Sequence, residues 1–409
     1  MFSKLERLVA QALSITEELR QIYQEREERN FVKVLSAMQK FKVSEYHFFP
    51  TTGYGYNDAG REALENVFAE VFGAESALVR IQLVSGTQAI EKVILALLKP
   101  GDELVSLTGP PYDTLFKSIS RLSRWNILYK EVPLTESGKV KMEVLSDYIS
   151  KRTRMVFIQR SCGYRWRYAI TIKQMEEIVS RIKAINSNII VFVDNCYGEF
   201  VDTREPPDVG IDIVAGSLIK NPGGTLAPCG AYICGKRELV EEVAQFITAA
   251  ALGKEVGPTL GFNRLLFQGL FLAPHFVREA VSGAIFCSAL MEGAGFETLP
   301  ASGDERGDIV QAVKLNSLDR LLAFCQCIQE ASPVDAHLKL TPSKTPGYEE
   351  KIIMAGGTFV QGGSLELSAD APLRPPFIAY FQGGTSFAQI KYTLTYTLEK
   401  FMQAKLLES

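Results

Sequence analysis

The sequence predicts an α/β fold with a large, mostly parallel central sheet, followed by a smaller C-terminal α+β domain. Between about residues 77 and 234, short apolar segments typical of buried strands alternate with segments of helical periodicity. Polar residues directly follow several of these apolar segments, which is where ligands bind in a parallel sheet. After about residue 300 the pattern of strands and helices changes, which indicates a second domain.

The composition is that of a globular protein and excludes several functions. Of the 409 residues, 46% are hydrophobic and 22% are charged, and the net charge of −3 gives no general attraction for nucleic acids or acidic membranes. The seven cysteines are scattered, and the N-terminus lacks the apolar core of a signal peptide, so we expect reduced thiols in the cytoplasm. The cysteines and histidines are not spaced as metal ligands, and no apolar stretch approaches the ~18 residues of a membrane span. We therefore expect no metal, nucleic-acid partner or membrane partner.

Three regions are predicted along the chain. Residues 1–50 form a helical arm, because apolar residues recur at helical spacing from Leu5 to Ile22. Residues 51–260 form the large α/β domain, and residues 261–409 form a helical connection and the small α+β domain. Within the connection, Pro258 and Pro274 are expected to break the helices.

The first predicted strand, residues 77–84, leads through a glycine turn into a helix. The turn comprises Ser85, Gly86, Thr87 and Gln88, and it lies at the N-terminus of that helix. Such a position presents unpaired backbone N–H groups and the positive end of the helix dipole, which suits a phosphate group. The alternative is that the glycine serves turn geometry alone. No Walker loop and no G-x-G-x-x-G motif is present.

Four further apolar segments, predicted as strands, are followed by chemically useful side chains. These segments cover residues 103–107, 155–158, 188–193 and 211–215. The residues that follow them are, in order, Tyr112, the pair Gln159 and Ser161, Asp194, and the pair Ser217 and Lys220. Because the carboxyl ends of parallel strands share one edge of a sheet, we expect these side chains to lie close together. Residues 229–234 are predicted as one more strand.

Lys220 is the most informative residue of the sequence. It follows an apolar strand and precedes Asn-Pro-Gly-Gly, residues 221–224, which end any regular element and make a rigid turn. Asp194 ends another apolar strand upstream. Pyridoxal phosphate requires a lysine for its aldehyde and a carboxylate for its ring nitrogen, and this pair supplies both. The sequence therefore predicts a pyridoxal phosphate site.

The C-terminal region contributes one further candidate, Arg374. Strands are predicted at residues 309–315, 351–359 and 377–381, with helices at 318–329 and 386–406, and residues 362–370 are predicted as a loop. Arg374 lies between prolines, so its planar guanidinium is well held for binding a substrate carboxylate. A surface arginine in a proline-rich loop explains the pattern equally well.

Taken in order, these motifs resemble those of the fold-type-I, transferase-like pyridoxal phosphate enzymes. The similarity rests on residues 85–88, Tyr112, residues 193–195 and residues 217–220. The similarity is greatest to the cystathionine/methionine γ-lyase group. Within that group, the segments at 53–58, 194–199 and 217–224 resemble the bacterial branch called "aluminium resistance protein". The resemblance covers residues from about 45 to 390.

The resemblance implies a role for each matching position. Lys220 would bind pyridoxal phosphate and move the substrate's protons, Asp194 would keep the ring nitrogen protonated, and Tyr112 would stack on the ring and protonate the leaving sulfur. The cofactor phosphate would be bound by residues of the glycine turn and by Ser217, with Tyr54 and Tyr56 reaching in from a neighbouring subunit of a homodimer or homotetramer. Arg374, Gln159 and Ser161 would bind the substrate.

Three departures from the γ-lyase pattern stand out. Ile219 replaces the usual hydroxyl residue before the lysine, and Gly55 and Tyr56 stand where an arginine is usual. The segment after Gln159 carries three arginines: we interpret Arg160 as a surface or subunit contact, whereas Arg165 and Arg167 either share that role or face a second acidic group of the substrate.

The resemblance implies a pyridoxal phosphate-dependent carbon–sulfur lyase that performs β- or γ-elimination or replacement. Its substrate would be a sulfur-containing amino acid such as methionine, cystathionine or cysteine. Two alternatives stay open: an aminotransferase-type enzyme, and a stress-related pyridoxal phosphate-binding protein with little turnover.

Overall fold

The computed structural model describes residues 3–407, and its elements follow the predicted alternation. Within these residues the helices are α1 (Lys4–Lys40), α2 (Ala59–Val71), α3 (Gly86–Leu97), α4 (Asp113–Ile119), α5 (Leu145–Tyr148), α6 (Ile172–Ile185), α7 (Arg237–Ile247), α8 (Asn263–Gly293), α9 (Leu318–Glu330) and α10 (Phe387–Gln403). The strands are β1 (Ser76–Arg80), β2 (Glu103–Ser106), β3 (Leu128–Glu131), β4 (Thr153–Gln159), β5 (Ile190–Asp194), β6 (Ile213–Ser217), β7 (Ala231–Gly235), β8 (Glu297–Leu299), β9 (Val310–Lys314), β10 (Ile352–Ala355), β11 (Ser368–Pro372) and β12 (Ile378–Gln382).

The large sheet has seven strands in the order β1-β7-β6-β5-β4-β2-β3. Strands β2 to β6 pair in parallel, whereas β7 runs antiparallel between β6 and β1. The predicted mostly parallel sheet is therefore confirmed. The sequence prediction missed β3, because this edge strand is partly exposed and carries Lys130 and Glu131 in place of an apolar run.

Helices cover both faces of this sheet, which explains why its central strands are apolar throughout. Alternate residues of each strand point to opposite faces. In β5, Phe192 packs in the core beneath α3 and α7, whereas Val191 and Val193 pack in the core formed with α2, α6 and α8. Because both faces of the central strands are covered, the open carboxyl edge is where polar side chains emerge.

The second sheet is antiparallel, with the order β10-β11-β12-β9-β8; α8 and α9 pack against it, and α10 packs on these two helices. The three strands predicted in this region are present. The prediction that residues 362–370 form a loop is wrong at its end, because Ser368–Pro372 is the strand β11. Its alanines and proline carry little strand propensity, and pairing with β10 and β12 decides the conformation. The domain boundaries after residues 50 and 260 stay a prediction.

Helix α8 contradicts the expectation of a break at Pro274. Pro274 lies inside the helix and does not break it. The proline removes one backbone hydrogen bond, but packing along α1 keeps the 31-residue helix continuous. By length and composition alone α8 could also cross a membrane, but 72% of its most apolar window is buried inside the fold, as in a core helix.

The first half of α8 touches the turn that follows Lys220 through backbone alone. A Cβ atom on Gly269 would collide with the Gly223 carbonyl, and one on Gly224 would collide with the Gly269 carbonyl. Gly224 also has a φ of +49°, in the left-handed region. Only glycine allows the helix and the turn to approach this closely.

Candidate active site

Three neighbouring strands of the large sheet end in predicted site residues. Gln159, Asp194 and Ser217 are the last residues of β4, β5 and β6. Gln159 is paired with Asp194, and Asp194 with Ala215, in the strand register. Lys220 follows β6 after two residues. The sheet therefore brings these side chains to one edge, as expected from the sequence.

The Lys220 ammonium is held by a segment that precedes β11 of the second sheet. Its Nζ donates to the Gly362 carbonyl at 2.6 Å and to Ser364 Oγ at 2.7 Å. It also lies 5.2 Å from the centroid of the Tyr197 ring. The reactive end of the lysine therefore lies at the junction of the two sheets.

Burial lowers the pKa of Lys220 from its ordinary value. The charge of Asp370 opposes this effect, followed by those of Cys196, Tyr348 and Glu199. A lysine with a lowered pKa is more often unprotonated near neutral pH, and the unprotonated amine is the form that attacks an aldehyde or accepts a proton.

Asp194 is buried and makes no ion pair within residues 3–407. Its Oδ1 accepts a hydrogen bond from the Cys196 N–H at 3.2 Å. Burial raises the pKa of Asp194 to about 6, and the Cys196 contact opposes this. The charge of Arg167 also opposes the shift, but it forms no ion pair with Asp194. A buried carboxylate without an ion-pair partner is suited to bind a cationic N–H group of a ligand.

Tyr112 is positioned by two of the other predicted residues. Its backbone N–H donates to Gln159 Oε1 at 3.0 Å, and its hydroxyl lies 2.9 Å from Thr87 Oγ1. Burial, and after it the charge of Asp194, raises the pKa of Tyr112 well above its ordinary value. Tyr112 is therefore a neutral phenol, able to donate a proton.

The glycine turn lies against the end of β6. Ser85 caps α3, accepting from the Gln88 N–H at 3.1 Å. A Cβ atom on Gly86 would lie 3.1 Å from Cβ of Ser217 and 3.4 Å from Sγ of Cys196. The N–H groups at the start of α3 and the Ser217 hydroxyl thus line one small region, with the chemistry that binds phosphate.

Gln159, Ser161 and Arg374 are placed near this site but already contact protein groups. Gln159 Nε2 donates to the Ser161 carbonyl at 3.1 Å, and both residues are buried. Arg374 donates to Glu350 Oε2 at 3.0 Å and to the Tyr164 carbonyl at 2.7 Å. Their roles toward a substrate stay predictions.

Tyr54 and Tyr56 lie apart from Lys220 within a single chain. Their rings contact each other, with centroids 5.6 Å apart, and 71% of Tyr54 is exposed. Tyr54 borders a surface cavity of about 300 Å³ whose lining includes Arg80, Ile247 and Pro258. Whether a second subunit brings these tyrosines to the site stays a prediction.

Two of the three arginines that follow Gln159 are buried. Arg160 is 1% exposed, so the expectation of a surface contact is wrong. Arg167 is also buried and donates to the carbonyl groups of Gln159 and Tyr168, both at 2.9 Å. These contacts hold the chain from inside, and a role of Arg167 toward an acidic group of the substrate stays a prediction. Arg165 is exposed.

Arg160 belongs to a buried polar network behind Asp194 that the sequence did not reveal. Its Nη1 donates to Asn195 Oδ1 at 2.7 Å, Asn195 donates to the Tyr232 hydroxyl at 3.2 Å, and Tyr232 donates to Glu199 Oε1 at 2.7 Å. Arg160 also lies 3.8 Å from Glu205. Burial raises the pKa of Glu199 to about 8.

Two further residues of the site, Asp370 and Tyr197, were not among the residues predicted from the sequence. Asp370 of β11 is buried and accepts hydrogen bonds from the Tyr164 hydroxyl at 2.9 Å and from Gln382 at 3.0 Å. Tyr197, which faces Lys220, has a φ of +72°, a conformation that is unusual for a tyrosine and typical of functional sites.

Comparison with known proteins connects this arrangement to one family. The family model for methionine gamma-lyase matches residues 5–402. The uncharacterized protein YnbB of Bacillus subtilis is 45% identical over 388 residues, which cover 93% of this chain and 92% of that protein. The solved structure of a carbon-sulfur lyase involved in aluminum resistance from Clostridium novyi is 43% identical, has a TM-score of 0.93, and covers 97% of this chain and 96% of that one. The pyridoxal-5'-phosphate dependent protein YhfS of Escherichia coli, 15% identical with a TM-score of 0.60, covers 92% of this chain and 97% of that one and shares the fold.

Proposed function

The chain belongs to the methionine gamma-lyase family, and from this membership and the site geometry we propose that it cleaves a carbon–sulfur bond in a sulfur-containing amino acid, with pyridoxal phosphate as cofactor. The observation that carries the proposal is the joint placement of Lys220 and Asp194. A lysine of lowered pKa and a buried carboxylate without an ion-pair partner among residues 3–407 occupy the same strand edge.

The residues present fit pyridoxal phosphate. Lys220 would hold its aldehyde carbon, Asp194 its ring nitrogen, and the start of α3 with Ser217 its phosphate. When bound, this cofactor supplies an electron sink that stabilises negative charge at the substrate's α-carbon. Ile219, in place of the usual hydroxyl residue, packs near Gly362, so the phosphate would rely on the remaining donors.

In the proposed reaction, the Nζ amine of Lys220 would accept the α-proton of the substrate. The lowered pKa of Lys220 favours the free amine that this step requires. Asp194 keeps its negative charge beside the ring nitrogen. Tyr112, as a neutral phenol next to Asp194 and Thr87, supplies the proton that the departing sulfur needs.

The substrate's carboxylate is assigned to Arg374, with Gln159 and Ser161 completing that side of the site. Arg374 lies beside the Tyr164 carbonyl, and Tyr164 in turn contacts Asp370. We place the reaction in the cytoplasm and assign it to a homo-oligomer. In that assembly, Tyr54 and Tyr56 of a second subunit would contact the cofactor phosphate, which would explain why two tyrosines are exposed on one chain.

The visible spectrum of the purified protein, recorded before and after addition of methionine, cystathionine, homocysteine and cysteine, tests this function. We expect bound pyridoxal phosphate, a spectral change with at least one amino acid, and release of thiol, ammonia and keto acid in equal amounts. Keto acid without thiol would instead identify an aminotransferase. Bound cofactor that responds to no amino acid would identify a binding protein with little turnover.

A further inference from the structure

A loop from the second sheet region reaches across the candidate site. Residues 344–351, here called the bridging loop, begin and end at a backbone pair formed by Ser343 and Ile352. Gly347 packs directly on Thr114 of α4, two residues after Tyr112. The Tyr348 hydroxyl lies 3.5 Å from that of Tyr164. The bridging loop therefore touches both halves of the site.

The same loop places a carboxylate on Arg374. Glu350 Oε2 lies 3.0 Å from Nη1 of Arg374, while Nη2 donates to the Tyr164 carbonyl at 2.7 Å. Both terminal nitrogens of the guanidinium are thus used by protein oxygens. A guanidinium binds a carboxylate best through two parallel N–H groups, so a substrate carboxylate cannot take this position while Glu350 holds it.

We propose that Glu350 competes with the substrate's α-carboxylate for Arg374, and that substrate binding detaches the bridging loop from this arginine. The proposal rests on the proposed function, which assigns the substrate carboxylate to Arg374. Glu350 then lowers the affinity for the substrate, although it does not contact the reacting atoms.

The exposure of the pair makes such an exchange feasible. The side chains of Arg374 and Glu350 are 37% and 46% exposed, and ion pairs of this kind are weak because water screens both charges. A deeply buried pair would resist separation, since each charge would lose its partner without gaining water. The contacts of Gly347 and Tyr348 lie elsewhere in the loop and can persist when Glu350 leaves.

The experiment measures the affinity of the cofactor-loaded protein for L-alanine, which carries the carboxylate but no leaving group. The spectral change of the bound cofactor gives the Kd without any turnover. Glu350→Gln removes the competing charge, and we expect the Kd for L-alanine to fall about two- to fivefold, the range that an exposed ion pair allows. Ethylamine, which has the amine but no carboxylate, should bind both proteins equally.

Two further variants show whether the effect passes through Arg374. Glu349→Gln removes a charge from the exposed neighbour, whose side chain makes no ion pair in the described part of the chain, and should leave the Kd unchanged. In the background of Arg374→Ala, Glu350→Gln should also have no effect. An unchanged Kd in Glu350→Gln, or an equal gain in Glu349→Gln or for ethylamine, overturns the proposal. A wild-type protein that binds L-alanine but releases no thiol from any sulfur amino acid would refute the lyase function and leave this measurement interpretable.

Discussion

Replacing Glu199 by glutamine is expected to make the protein more stable at alkaline pH. Glu199 is fully buried, and its Oε2 finds no hydrogen-bond partner among the described residues. Its pKa is raised to about 8, mainly by burial, despite the hydrogen bond from Tyr232. The folded state therefore favours the neutral carboxyl group, and glutamine reproduces its shape without ever acquiring a charge.

The size of the effect follows from the two pKa values. The ordinary value for glutamate is 4.5, and the folded value is about 8. A group whose pKa is higher in the folded state contributes stability that is fully present below 4.5 and is lost as the pH rises toward 8. With about 1.4 kcal/mol for each pH unit of this interval, the total loss is about 5 kcal/mol, of which about 4 kcal/mol falls between pH 5 and pH 9.

Urea unfolding at pH 5 and at pH 9, for wild type and for Glu199→Gln, measures this loss directly. The variant should have similar stability at pH 5 and should be more stable than wild type by several kcal/mol at pH 9. Glu349→Gln, at an exposed position, controls for the removal of one negative charge and should follow wild type at both pH values. If the difference in unfolding free energy between Glu199→Gln and wild type is the same at pH 5 and at pH 9, Glu199 is ionised in the folded protein at both pH values. The reasoning from burial would then be refuted.

Three further predictions concern the cofactor site. Lys220→Ala should abolish the visible absorption of lysine-bound pyridoxal phosphate together with all turnover, and a reducible bond to the cofactor at wild-type occupancy would contradict this. Asp194→Asn should retain the cofactor but slow exchange of the substrate's α-proton by about 100-fold or more, measured by NMR in deuterated water; near-normal exchange would reduce Asp194 to a structural role. Mixing Lys220→Ala with an inactive Tyr54 variant should partly restore activity, because mixed dimers contain one site with both residues intact, and no recovery despite proven subunit exchange would remove Tyr54 from the partner's site.

The central sheet and its catalytic edge were predictable because their signals are local. An apolar strand that ends in Asp194, or one that leads through two residues into Lys220 and a rigid turn, is visible in a short window of sequence. The glycine turn at residues 85–88, which leads into a helix, is equally local. These signals required no knowledge of which strands are neighbours, since parallel strands present all their carboxyl ends at one edge.

The remainder of the site depends on contacts between segments that are far apart in the chain. Ser364 and Asp370 reach Lys220 only because the second sheet packs against the first, and nothing in their surrounding sequence indicates this. Arg160 was predicted at the surface because arginine is rarely buried. Its partners Asn195 and Glu205 become its neighbours only in the folded chain. Pro274 was predicted to end a helix whose continuity depends on the packing of α1.

The close approach of Gly223, Gly224 and Gly269 limits how this protein can change during evolution or engineering. Helix α8 and the turn after Lys220 meet without side chains between them, so no compensating repacking is available at this contact. Even one added methyl group must push the turn outward and displace the lysine with it, and a displacement of about 1 Å can cost about 100-fold in rate. We therefore expect these three glycines to form a unit in which one replacement cannot be compensated by another, whereas the proposed substrate contacts of the second sheet and the bridging loop are made by side chains that can be exchanged singly.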